Sequence, residues 1–370
     1  MIRFGPWSTA LGFGALFGLA VAMALWGMRA NATANRLLAA LLLVIVLKLM
    51  PYVIGYAGFY DAYPWLSFAP FDLALSIGPL VYLYARRLTS GALPQGWYRH
   101  LLPALAQFTY YAIVFPFPVA TKDLWNDAAH VPWVMPVVTV AELASMTIYL
   151  ALAWQRHHAY QTWLVDHVSN REDYRLDWMR NFLVALSLML LAWGMVSAAN
   201  TLLHLDYFQR FPFYLGLTVL VFYLGLEGWR HADRHYPLPV QAEAPPMVVS
   251  EGRDWIAQGE AWLARTHEAG WWRDPDLNLD RLARHLGTNT AYLSRALNEG
   301  LGLNFSEAIG RLRVAEVQRR LAEGDPGDLL QCAFGAGFSS KTSFNRVFKT
   351  QTGLTPSQYR ESLRRPGAES

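Results

Sequence analysis

The chain holds one cysteine, Cys332, in 370 residues. That excludes an intramolecular disulfide and any cysteine-rich metal site. Its apolar, helix-patterned neighbours make it a core residue rather than a reactive thiol. Charge is scarce as well: 16% of residues are charged and the formal sum is only +3. Total charge therefore makes no case for a polyanionic partner, and the placement of charges matters more than their sum. Catalytic signatures are missing. There is no HExxH, no GxSxG and no cluster of cysteine and histidine. His157 and His158 are adjacent, so they cannot share a helix face as i, i+4 ligands do. A transporter built of repeated halves would show an internal repeat, and none is visible. Neither a cofactor nor a metal nor a catalytic residue is expected.

What the chain does have is apolar length. Through residue 235 it consists of apolar runs broken by short polar segments, and after Pro237 it reads as a water-soluble protein. Seven apolar stretches, at about 7–28, 37–59, 65–85, 101–121, 132–155, 178–202 and 211–229, each approach the ~20 residues that a helix needs to cross ~30 Å of hydrocarbon. The run 37–47, LLAALLLVIVL, lacks the polar stripe that a soluble helix would carry.

Arginine and lysine set an orientation. With the N-terminus outside, the inner segments hold Arg29, Arg36, Arg86, Arg87, Arg99, Arg156, Arg171, Arg175, Arg180, Arg230 and Arg234, and the outer ones only Arg3, Lys122 and Arg210. Eleven against three puts the C-terminal half in the cytoplasm. The first stretch has a second reading, a cleaved leader followed by RANATA. Its apolar run exceeds a usual signal core, and its removal would move the arginine-rich loops outside. The outer loops, such as YDAYP at 60–64, are too short to hold a sensing domain.

Lys48, Asp72, Gln107, Glu142, Asn200 and Glu227 fall within or near these stretches. An ionisable group there costs ~2.5–3.5 kcal/mol, so it turns inward and finds a partner. Lys48 with Asp72 or Glu142 is the natural pairing, and it reads equally as a ligand pocket or as a structural ion pair that fixes helix register; Glu227 reads as structural. Pro51 and Gly78-Pro79 are expected to kink their helices. Trp7, Tyr63, Trp65 and Trp133 suit interfacial anchors.

Residues 236–250, YPLPVQAEAPPMVVS, carry four prolines and read as a semi-extended linker. At ~3 Å per residue it spans some 40 Å at most. This divides the chain into 1–235, 236–250 and 251–370.

Beyond the linker the pattern turns amphipathic. A helix at about 253–268 carries Trp255, Ile256, Trp262 and Leu263 and serves packing or dimerisation. LNLDRLARHLG from Leu277 reads as a helix capped by Asn278, with Leu279, Leu282, Ala283 and Leu286 inward and Gly287 closing it. TNTAYLSRALNEG starts a second helix with Thr288 as cap and Ala291, Leu293 and Leu297 for packing. After a helix at 305–322 the pattern recurs. DLLQCAFGAGF ends at Gly337; SSKTSFNRVFKTQTG is capped at Ser339 or Ser340 and closed by Gly353; TPSQYR follows with Thr355 and Pro356. The expected fold is all-α: a seven-helix transmembrane bundle, then a soluble domain with two helix-turn-helix units joined by a helix of ~27 Å, which suits two successive major grooves.

The stretches GFSSKTSFNRVFKTQTGLTPSQYR and LSRALNEGLGLNFSEAIGRLRVAEVQRRL make the region 253–365 resemble the AraC/XylS family of transcription regulators. IGPLVYLYARRL at 77–88 looks like the seven-span sensor region of a membrane-bound branch of that family. The resemblance implies a one-component regulator in a bacterial cytoplasmic membrane, with double-stranded DNA, the lipid bilayer and a signal ligand or membrane partner as its contacts. A homodimer suits the limited DNA that one domain covers. It further implies that the second helix of each unit meets base edges, through Asn289, Thr290, Ser294, Arg295 and Asn298 in the first, and Lys341, Thr342, Asn345 and Arg346 in the second, with Lys349 nearer the phosphates. The residue types agree with such a role. From 330 to 365 six lysines and arginines face one acidic residue, Glu361, a basic patch suited to phosphate. Gly335 and Cys332 depart from the family pattern, which usually has a polar helix former and a larger aliphatic there. Two other readings stay open: a transporter or intramembrane enzyme with a DNA-binding regulatory tail, and a DNA-binding domain released by proteolysis near 236–250.

Overall fold

The computed structural model describes residues 2–203, 206–239, 254–323 and 328–364. Most of the proline-rich segment, and with it the linker reading, lies outside these residues. The described chain is helical, with no strand among the described residues beyond an isolated bridge between Val168 and Asn278. It divides into two compact units, 1–158 with 176–238, and 159–175 with 239–370.

In the first unit the labelled helices are α1 (Pro6–Gly27), α2 (Ala32–Tyr56), α3 (Ile77–Ser90), α4 (Leu102–Val114), α5 (Met135–His167, which ends in the second unit), α6 (Asp177–Leu203) and α7 (Phe211–His231). Helix α1 packs on α2 and α7, and α2 also packs on α3. Small residues allow the close approach. A Cβ on Gly18 of α1 would stand 2.6 Å from Val221 Cγ1 and 2.7 Å from Val46 Cγ2. Leucines at 38, 41, 42 and 49 fill the interior. The outside is apolar too: Phe13, Leu16, Leu124, Val137, Leu188, Met195 and Val219 are all exposed.

Among the described residues, five helical runs are long and apolar enough to cross a membrane: Pro6–Gly27, Ala32–Tyr56, Val119–His167, Asp177–Leu203 and Phe208–His231. The third and fourth apolar stretches behave differently. Residues 65–85 do not form one helix, because Pro70 interrupts it, Phe68 takes a φ of +61° and the Asp72 carboxylate accepts from the Ala74 N–H at 3.0 Å. Helix α3 starts only at Ile77. Pro79 therefore falls in a first turn, where its missing N–H costs nothing, and starts a helix instead of kinking one. With 14 and 13 residues, α3 and α4 are ~20 Å long. Helix α2 runs unbroken through Pro51.

The second unit contains α8 (Trp255–Glu268), α9 (Leu279–Leu286), α10 (Thr290–Arg295, continued by a wide turn at Ala296–Gly300), α11 (Phe305–Ala322), α12 (Leu329–Gly335), α13 (Lys341–Thr352) and α14 (Pro356–Arg364). Local chemistry starts each one. Asp254, Asn278, Asn304, Asp328 and Ser340 accept from first-turn N–H groups, and Asn304 forms a reciprocal pair with Glu307. Gly287 and Gly353, at φ +70° and +77°, close α9 and α13. The cap of α10 is Asn289, not Thr288: the Thr288 N–H is already bonded to Ala283 O at 2.9 Å, which keeps Thr288 in the turn. Leu282, Leu293, Phe305, Ile309, Phe344 and Phe348 sit in one continuous core, and Trp262 of α8 joins it. Cys332 is buried. Gly335 leaves room for the Arg320 guanidinium, whose Nη1 would lie 2.8 Å from an added Cβ.

Candidate functional site

Helix α13 presents two faces. Ser343, Phe344 and Phe348 are buried, while Lys341, Thr342, Asn345, Arg346 and Lys349 are all exposed. Their spacing of one, four, five and eight residues makes a single stripe. It offers two ammonium groups, a guanidinium, an amide and a hydroxyl, the set that reads guanine and adenine edges and neutralises phosphate. Arg360 and Arg364 on α14 add positive charge to the same end of the chain.

The first helix pair is more committed to itself. Asn289 and Thr290 are half-buried, and the Asn289 carboxamide caps the helix at 2.8 Å from the Tyr292 N–H. Arg295 bonds Glu299 at 2.6 Å and lies 5.0 Å from the Trp255 ring centre. Asn298 donates to Ser294 Oγ at 3.1 Å. Ala291, expected to pack, is exposed; Ala296 takes the buried place.

Sequence reasoning missed the segment before α6. Residues 159–175 belong to the second unit. Ser169 donates from both N and Oγ to Leu277 O, the latter at 2.7 Å, and Asn170 Nδ2 donates to Pro275 O at 2.7 Å. Beneath them lies Arg313 of α11, 1% exposed. Its guanidinium donates to Trp272 O at 2.9 Å, Asp274 O at 2.8 Å, Asn170 Oδ1 at 2.8 Å and Ser169 Oγ at 3.1 Å. Burial pulls this guanidinium down to about 10, with Asp274 opposing, so it stays charged at neutral pH. The segment then brings two carboxylates to α13. Glu172 Oε2 lies 2.6 Å from Arg346 Nη1, and Asp173 accepts from Ser340 Oγ at 2.6 Å and from Ser339 Oγ. The only signal in the sequence was the acidic pair in REDY, which counting lysine and arginine alone passes over.

In the first unit, Lys48 Nζ meets both candidate carboxylates, Asp72 Oδ2 at 2.7 Å and Glu142 Oε1 at 3.5 Å. Gln107 joins them, donating to Glu142 at 3.2 Å and accepting from the Leu75 N–H. Lys48 and Glu142 border a cavity of about 80 Å³ whose other walls include Trp193, Met189, Phe213 and Leu217. Asn200 accepts from Arg210 at 2.6 Å, and Glu227 pairs with Arg230 at 2.7 Å.

Comparison with known proteins points to the second unit. Residues 282–362 match a helix-turn-helix domain family. An uncharacterized HTH-type transcriptional regulator of Staphylococcus aureus (strain MSSA476) is 35% identical over 85 residues, 23% of this chain and 11% of its own length. The probable transcription factor PqrA of Proteus vulgaris is 30% identical over 90 residues, 24% of this chain and 73% of its own length. The chain thus spans about a tenth of the length of the S. aureus relative. No solved structure matches it.

Proposed function

Because the chain belongs, through its C-terminal domain, to the AraC-type helix-turn-helix transcription regulators, we propose that it is a sequence-specific DNA-binding regulator held on the inner face of a bacterial cytoplasmic membrane, whose membrane region senses a signal. The exposed stripe of α13, inside the matched region, carries the DNA-binding part of this reading. Both helix pairs act as helix-turn-helix units, with α13 the main reader and α10 the weaker one, since Asn289 and Arg295 already hold local partners.

Three observations support the membrane part. The first unit is apolar outside as well as inside; a water-soluble unit rarely exposes so much contiguous apolar surface. Five runs have the length to cross. Arg86 and Arg87 lie near the C-terminal end of α3, and Arg99 lies between α3 and α4. Those arginines fall on the inner side only if α3 and α4 also cross, which favours seven crossings over five. Either odd number leaves the two ends of the chain on opposite sides. The cavity lined by Lys48 and Glu142 is the signal site in this reading; with Asp72 on the same ammonium the cluster carries two carboxylates to one ammonium, an arrangement that suits a small cationic ligand.

Arg346→Ala tests the DNA-binding part: gel-shift titration of the full chain in lipid nanodiscs should show binding weakened by about 1–3 kcal/mol, and unchanged affinity refutes the assignment. A phosphatase reporter fused after Ser370 tests the tethering. It should stay dark, and periplasmic activity refutes the orientation.

A further inference from the structure

Segment 169–173 lies against groups on and before α13. Its two carboxylates meet Arg346 in the middle of the helix, through Glu172, and the hydroxyls of Ser339 and Ser340 at its start, through Asp173. Guanidinium and hydroxyl groups on a reading helix are the groups that take phosphate oxygens and base edges. Glu172 is 7% exposed in this position, and Arg346 remains 51% exposed. The segment is anchored rather than loosely draped, since Asn170 and Ser169 hold the buried Arg313 and the backbone at 275–277. Its acidic end has partners of its own. Glu172 also pairs with Arg175 at 3.2 Å and Arg171 at 3.4 Å, so the carboxylate keeps cations within the segment when Arg346 is given up, and a cleft of about 540 Å³ lined by Arg171, Glu172, Glu307, Arg311 and Arg346 leaves room beside it. An anchored segment whose acidic end borders a cleft can move that end without unfolding the domain.

We propose that residues 169–173 are a built-in competitor for DNA: Glu172 and Asp173 occupy Arg346, Ser339 and Ser340 when DNA is absent and must leave for α13 to bind it. The inference rests on the reading of α13 as a DNA-binding helix. It also gives the membrane region a route to control, because this segment is the direct covalent link between α5 and α6. A change at the ends of those two helices reaches the acidic pair through no more than a few residues.

The test uses the full chain in lipid nanodiscs and a duplex selected from a random-sequence pool by that chain, with fluorescence anisotropy at fixed salt. Glu172→Gln with Asp173→Asn should bind roughly tenfold more tightly, the gain expected when a segment docked nine-tenths of the time is released. Glu260→Gln with Glu268→Gln, on exposed positions of α8, makes the same change in net charge and should shift affinity less than about twofold. No gain in the first pair, or equal gains in both, overturns the proposal. Arg346→Ala separates the two layers of the argument. If it weakens binding while the acidic pair has no effect, the competitor is wrong and the DNA-binding reading stands; if it changes nothing, both fall. Hydrogen exchange on the unmutated chain gives a check independent of variants. Adding the duplex should speed amide exchange at 171–174 while Ser169 stays protected, and unchanged or slower exchange at 171–174 overturns the proposal.

Discussion

Replacing Arg313 by methionine should destabilise the C-terminal unit by about 3 kcal/mol. The side chain is buried and donates four hydrogen bonds, two to the carbonyls of Trp272 and Asp274 and two to Ser169 and Asn170. Hydrogen bonds to a charged group contribute ~1.5–3 kcal/mol each, but holding a guanidinium away from water costs several kcal/mol, which offsets about half of that sum. Methionine fills similar volume and removes the desolvation cost. What remains is mainly the cost of stranding the carbonyls of Trp272 and Asp274, ~1–3 kcal/mol each. The balance is a loss of about 3 kcal/mol, a large part of the 5–15 kcal/mol that holds a typical domain. Lysine, with one ammonium in place of a planar fork, reaches fewer of the four acceptors and should recover about half of the loss. Urea unfolding of the C-terminal unit, followed in the full chain by hydrogen exchange with mass spectrometry, measures both quantities. The peptide containing Ser169, whose N–H bonds Leu277 O at 3.3 Å, should lose protection first. An Arg313→Met chain with unchanged unfolding and a still-protected Ser169 would refute the assignment of this arginine as the anchor. Asn170→Ala supplies the companion measurement, and its coupling energy with Arg313→Met should be about 1–2 kcal/mol.

Two further predictions concern charge. Lys48→Met leaves Asp72 and Glu142 facing each other without their cation, and should lower the melting temperature in nanodiscs by the equivalent of about 3–5 kcal/mol. Adding Asp72→Asn and Glu142→Gln should restore it; if stability returns and DNA binding still responds to the signal, the cluster is structural and not the ligand site. Glu316 is held at about 2 by hydrogen bonds from Arg319 and Arg320, with burial opposing. Its lowered value means that the contribution is complete above about 4.5 and is lost as pH falls toward 2. Arg319 is 54% exposed, so solvent screening reduces the contribution to about 1–2 kcal/mol. Denaturation of Glu316→Gln against the parent chain should show that gap at pH 7 and little of it at pH 2.5; a gap of equal size at both would rule out the ion pairs as its source.

The C-terminal helices were legible because their ends are written locally. Asn278, Gly287, Gly353 and the Thr355-Pro356 pair each fix a boundary with their own side chain or lack of one. Where two adjacent residues offer the same chemistry the sequence does not decide. Thr288 and Asn289 are both good caps, and the choice rests on a backbone bond back to Ala283. Ala291 was read inward because alanine tolerates either side, yet two residues before the buried Leu293 it falls toward solvent. The stretch 65–85 shows the reverse failure. Its apolar composition is that of a continuous helix, while Pro70, the left-handed backbone at Phe68 and the bond from Ala74 to Asp72 break it. The docking of 159–175 left no periodic trace at all. It depends on single polar contacts between residues more than 100 positions apart, such as Asn170 with Arg313 and Glu172 with Arg346.

That docking also sets how strong a signal has to be. A segment held nine-tenths of the time is favoured by only about 1.4 kcal/mol, and a tenfold change in DNA affinity asks for a coupling free energy of the same size. The gross contacts at the acidic end are larger, one guanidinium–carboxylate pair and two hydroxyl–carboxylate bonds. The open cleft beside them lets water reach the same groups, and water returns most of that interaction when the segment lifts. In the proposed reading the signal enters a cavity of about 80 Å³, which has space for only a few heavy atoms, and a ligand of that size is limited to ~1.5 kcal/mol per atom. A differential of ~1.4 kcal/mol lies well inside that limit. The acidic end therefore has to be weak for so small a site to control it.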